Sequence, residues 1–152
     1  MADLSLENQE PIPNTALWLG LAGAVPFVAS ALGSWLDPDL ARRGIWLTLG
    51  LAYGAIILSF LGGIRWGVTL SAPLRERELA LSVLPSLAGW AALILPSAIG
   101  VCLLIGGFLM QALWDVTSVH TGRLPQWFGR LRMILTTIVV VSLLAILGKL
   151  AF

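Results

Sequence analysis

Charge is what this sequence is short of. Asp, Glu, Lys and Arg make up 11% of its 152 residues, against about 25% in soluble domains. That scarcity excludes an ordinary water-soluble fold, because a domain of this size leaves much of its surface in water. The net charge is +1, and no basic run or arginine–aromatic interleaving accompanies it, so nucleic acid is not an expected partner. Cysteine is reduced to Cys102, which excludes an intrachain disulfide. Histidine is reduced to His120, and no second His, Cys or closely spaced carboxylate stands where a metal site needs one. Phosphate loops, dinucleotide fingerprints and haem-attachment motifs are missing too. No metal or organic cofactor is therefore expected. Ser118, His120 and Asp115 lie close in sequence, but nothing indicates a triad's fixed geometry or an oxyanion site. An enzyme is not expected.

What the chain has in abundance is apolar length, with hydrophobic residues at 58%. A membrane span needs roughly 20 apolar residues. Uncharged runs place spans at about 15–36, 44–70, 79–95, 97–114 and 131–150. The expectation is an all-α polytopic bundle of about five transmembrane helices, with residues 1–14 a short polar tail and 15–152 one transmembrane domain. The stretch 79–114 carries no charge and is long enough for two helices turning at Leu95-Pro96-Ser97; a re-entrant pair would also fit. The tail, MADLSLENQEPIPN, contains no Lys or Arg, unlike the positive start of a secretory signal. An Arg/Ser-rich presequence is missing as well, which points to a bacterial inner (plasma) membrane.

Orientation follows the distribution of Lys and Arg in short loops. One side collects Arg65, Arg75, Arg77, Arg123, Arg130 and Arg132, and the other Arg42, Arg43 and Lys149. The richer side is read as cytoplasmic, together with the N-terminus. Trp18, Trp35, Trp46, Trp66, Trp114 and Trp127 fall near span ends as an aromatic belt would, with Trp90 deeper.

Close packing in lipid relies on small residues. In the second span Gly50 and Gly54 form one small pair, and Ser59, Gly63 and Gly67 a second stripe. Gly20 with Ala24, and Cys102 with Gly106, give weaker versions in the first and fourth spans. Pro26 and Pro85 lie inside spans and should kink them. GxxxG patterns argue packing within the chain first and homo-oligomerisation second.

Polar chemistry gathers at one corner. Arg65 sits inside an apolar stretch, roughly 8 Å from its span's end at 1.5 Å per residue. It could snorkel, pair with Asp115, or bind a ligand. The second and fourth spans run parallel, so Arg65 and Asp115 reach the same membrane face, and pairing would offset part of the cost of a charge in hydrocarbon. Gln111, His120 (placed in a polar loop), Trp127, Arg130, Arg132, Glu76 and Glu78 belong to the same face.

These residues also carry a resemblance. Tyr53 with AIILSFLGGIRWG, SVLPSLAGW around Pro85, the aspartate at Asp115 and LPQWFGRLRMILT resemble a family of small bacterial membrane proteins known as domain of unknown function 3429, related to eukaryotic transmembrane protein 69. The likeness runs from about Pro13 onward and includes Arg65, Trp66, Asp115, Trp127 and Arg132. It implies a multi-span helical protein of the inner membrane and no established activity. The leading functional expectation is a non-enzymatic module that binds another membrane protein, or a lipid or quinone. The alternative is a small transporter or proton-coupled permease using Arg65 and Asp115. A headgroup-directed enzyme using His120 and Asp115 ranks last.

Overall fold

The computed structural model describes residues 11–70 and 76–151. Five helices follow in order: α1 (Asn14–Leu36), α2 (Leu40–Leu70), α3 (Glu76–Ile94), α4 (Ser97–His120) and α5 (Gln126–Ala151). Each is long and apolar enough to cross a membrane, and the described residues contain no strand. The tail expected at 1–14 lies outside the described residues up to Glu10, as does Arg75 of the orientation argument.

Several helix ends differ from the sequence reading, each for a local reason. α2 starts at Leu40 rather than near 44 because the Asp39 carboxylate accepts the Ala41 N–H at 2.9 Å and caps it. Arg42 and Arg43 thus belong to its first turn. α3 starts at Glu76, its first-turn acids Glu76 and Glu78 suiting the positive end of the helix dipole.

The largest correction concerns α4. It continues six residues past Trp114 to His120, so Asp115 stands inside the helix and His120 ends it. The stop is Gly122 at φ 72°, with the Arg123 N–H bonded to Ser118 O (2.9 Å) and the Gly122 N–H to Val119 O (3.0 Å). That is the left-handed closure glycine favours. Pro125 then introduces α5 at Gln126, and the expected loop of 115–130 shrinks to a tight turn.

Packing builds a ring. α1 contacts α2 and α5, α4 contacts α5 and α2, and α3 lies outside against α2 and α4. The ring's centre is filled by Phe27, Leu58, Leu104, Phe108, Leu143 and Ile146, each at most 2% exposed. Phe27 meets Phe108 and Tyr53 edge-on at 5.7 and 5.1 Å, the favoured aromatic geometry. Large apolar side chains such as Trp18, Leu19, Ile56, Phe60, Met110 and Leu113 point outward. That is the surface a bilayer covers and water would not.

Small residues allow the close approaches. A side chain at Gly50 would press on Ser30 and Ile146, and one at Gly54 on Leu104. The second stripe is displaced by one position. Gly62 faces the Ser82 carbonyl (2.6 Å from an added Cβ) and Pro85, whereas Gly63 and Gly67 face outward with nothing within 4 Å of such a Cβ. The α2–α3 seam continues at Gly89, whose Cβ would lie 2.9 Å from Ala55 O. Gly20 and Ala24 do sit against the bundle, Gly20 under Leu135. On α4, Cys102 and Gly106 face outward, and Gly100 and Gly107 make the contacts, to Ala92 and Leu58. α1 and α3 continue through Pro26 and Pro85. Beside the first, the Tyr53 hydroxyl donates to Gly23 O at 3.0 Å, satisfying a carbonyl in the turn that proline disrupts.

Candidate functional site

Three ring helices each deliver one charge to the same point. Leu61, Arg65 and Thr69 follow one face of α2; Gln111, Asp115 and Ser118 one face of α4; Gly129, Arg132 and Thr136 one face of α5, at the three- and four-residue spacing of a helix. All nine are buried. Asp115 stands between two arginines. Its Oδ2 accepts from Arg132 Nε at 2.8 Å, and its Oδ1 lies 3.3 Å from Arg65 Nη2. The first contact is a charge-assisted hydrogen bond. The second is an ion pair angled away from hydrogen-bond geometry, since Arg65 Nη2 has no hydrogen-bond partner among the described residues.

Arg65 therefore turns into the bundle and does not snorkel. Its Nη1 donates to Ser118 Oγ at 2.6 Å, Ser118 passes the bond on to Trp114 O at 2.9 Å, and the guanidinium lies 4.4 Å from the centre of the Trp114 ring. The desolvated ring face attracts the cation. Below this layer Gln111 Nε2 reaches Leu61 O at 3.4 Å. Above it Arg123 holds Glu78 through contacts of 2.9 and 3.0 Å.

The sequence reading placed Arg65, Trp66, Asp115, Trp127 and Arg132 together. The structure joins Arg65, Asp115 and Arg132 and separates the two tryptophans. Trp66 is 44% exposed on the outer face of α2, and Trp127 stacks edge-on against Phe128 at the start of α5. Ser118, Trp114 and Thr136 were not singled out for these contacts. The periodicity 111, 115, 118 would have revealed the α4 face, had the helix been carried through to Gly122.

Two cavities adjoin the charged layer. A groove of about 650 Å³ runs between α3 and α4, walled by Leu81, Leu84, Pro85, Cys102, Met110 and Trp114, with Gln111 and Thr117 among its lining. A smaller space of about 190 Å³ lies within the ring, lined by apolar side chains of α1, α2, α4 and α5 together with Arg132 and Thr136. No group of three His, Cys, Asp or Glu side chains capable of holding a metal occurs among the described residues.

Five apolar helices, an outward apolar surface and an inward ion cluster define a polytopic α-helical membrane protein. Its family follows from comparison. The model of the family described as "Protein of unknown function (DUF3429)" matches residues 12–148, and the chain belongs to that family. Transmembrane protein 69 of Xenopus tropicalis is 38% identical over 142 residues, covering 86% of this chain and 53% of its own. Transmembrane protein 69 of Mus musculus is 35% identical over 137 residues, covering 86% and 54%. The chain thus spans about half the length of these curated relatives. No solved structure matches it.

Proposed function

We propose that this protein is a non-catalytic binding module of the membrane, and that its ligand is a single amphipathic, lipid-like molecule held in the groove between α3 and α4. The groove carries the proposal. Its volume, about 650 Å³, falls within the roughly 300–1,000 Å³ of small-molecule sites, which combine apolar walls with a few polar groups. Leu81, Leu84, Cys102, Gly106, Met110 and Leu113 line it and are exposed, so its mouth opens to lipid. Thr117, nearer the charged layer, suits a polar head, and the Cys102 end suits a tail. Transport is the weaker reading, because Phe27, Leu58, Leu104 and Phe108 fill the ring where a route would run. The arginine-rich end, with Arg65, Arg77, Arg123, Arg130 and Arg132, is assigned to the cytoplasmic side by the positive-inside rule, and the membrane is read from the N-terminal composition as a bacterial plasma membrane.

Gly106 supplies the test, since it lines the groove and an added Cβ there meets nothing within 4 Å. Native mass spectrometry of the full chain released from mild detergent should show one retained lipid-like molecule per chain. Gly106→Leu should fill the groove and remove it, whereas Gly44→Leu, equally open but at the other end of the bundle, should not. Equal retention in both variants would refute the assignment.

A further inference from the structure

The charged layer is unbalanced. Arg65 and Arg132 bring two positive charges and Asp115 one negative, all at most 7% exposed. The next charges outward, Glu78 and Arg123, pair with each other. Buried donors are also left over. Arg65 Nε and Nη2, Arg132 Nη2 and Thr136 Oγ1 have no hydrogen-bond partner among the described residues. Polar groups withdrawn from water are normally satisfied, and helical hydroxyls in lipid do so by bonding back along their own helix. Thr69, Thr137 and Ser142 each donate to the carbonyl four residues earlier, at 2.8 to 3.0 Å. Thr136 does not.

The residues that carry two of these unsatisfied donors line one cavity. Arg132 and Thr136, one turn apart on α5, line the 190 Å³ space inside the ring. The rest of its wall is apolar, and Leu19 and Phe60 on its rim are 69% and 62% exposed. The space therefore opens sideways between α1 and α2 toward the lipid, away from the α3–α4 groove. An excess positive charge, unused donors and an apolar approach call for one kind of occupant.

We infer that this cavity is a second binding site, independent of the groove, which accepts a carboxylate: the anionic oxygens take hydrogen bonds from Arg132 Nη2 and Thr136 Oγ1 and cancel the layer's surplus charge. An acid with an apolar tail could reach it from the bilayer, and a small free carboxylate could enter from the aqueous end. Both offer the same chemistry to α5.

Thermal-shift titration of the detergent-solubilised full chain carrying Gly106→Leu, which closes the groove, separates the possibilities, with dodecanoate, acetate and uncharged dodecanol as probes. Dodecanoate should raise the melting temperature saturably and dodecanol should not. Thr136→Val, which keeps the side chain's shape and removes its hydroxyl, should weaken the response about tenfold, as loss of one hydrogen bond to a charged group implies. Thr137→Val, on the exposed face, should leave it unchanged. Acetate acting as well as dodecanoate would assign the site to free carboxylates, and dodecanoate acting alone would assign it to a lipid acid; either supports the inference. A response shared by dodecanol, or one unaltered in Thr136→Val, would overturn it and leave the cavity to water.

Discussion

A carboxylate inside a membrane bundle is costly, and Asp115 keeps its place because two cations reach it from neighbouring helices. Charge arithmetic ranks the substitutions. Removing either arginine leaves a neutral pair, whereas Asp115→Ala leaves two buried cations side by side. We expect Asp115→Ala to cost about 3–5 kcal/mol, measured by unfolding in detergent, and each of Arg65→Ala and Arg132→Ala to cost less. Double-mutant cycles should give a coupling of about 1–2 kcal/mol for Arg132 with Asp115, and a smaller one for Arg65, whose contact is longer and misaligned for hydrogen bonding. Additive losses would show that the side chains do not interact.

A second acid works at the opposite end. Asp37, between α1 and α2, accepts the Asp39 N–H at 3.0 Å and the Trp46 indole N–H at 3.1 Å, with Arg42 nearby. Chiefly through the Asp39 backbone bond, its carboxyl is held below the usual aspartate range. A lowered pKa means that the charged form is favoured by folding. The resulting stability is complete above the unfolded aspartate value of about 3.9 and is lost as pH falls through the lower folded value. Melting curves taken down this range should show an acid-side loss in the parent chain that Asp37→Asn reduces.

Among the elements, the α2–α3 seam is a close approach that glycine permits. Gly62 and Gly63 are adjacent but face different surroundings. A methyl at Gly62 would run into the Ser82 carbonyl, while one at Gly63 meets nothing within 4 Å. Gly62→Ala should destabilise by about 1–3 kcal/mol, the usual cost of overpacking. Gly63→Ala should be neutral or stabilise by up to about 1 kcal/mol through helix propensity. Comparing detergent-unfolding midpoints of the two variants tests the register directly. This one-position shift also shows where sequence reading stops. Spacing-four patterns reveal that α2 carries small faces, but which face meets α3 depends on where Pro85 and Ser82 fall in space. The length of α4 was more accessible. Counting uncharged residues stopped the helix at Trp114, whereas the stop signal is Gly122 with Pro125 behind it, and Asp115 continues the helix because Arg65 and Arg132 neutralise it.

For the whole molecule, the class was legible from runs of apolar residues separated by brief charged links, because few other arrangements hide so much apolar surface. The meeting of Arg65 and Asp115 was also foreshadowed by the parallel directions of the second and fourth spans. Arg132 at the centre of the cluster, and the two cavities beside it, depend on how the ring of four closes with α3 outside, which no spacing rule encodes. The groove, walled by α3 and α4 along their length, requires these helices to be two complete crossings, not a hairpin dipping into one leaflet.

Single cysteines at Ser97 and at His120, each introduced after Cys102→Ser, measure this directly through labelling by a membrane-impermeant thiol reagent in sealed vesicles of known orientation. Two full crossings put Ser97 and His120 on opposite sides, so each should be labelled from one side only and not from the same one. Labelling of both from the same side would contradict the fold and the groove with it.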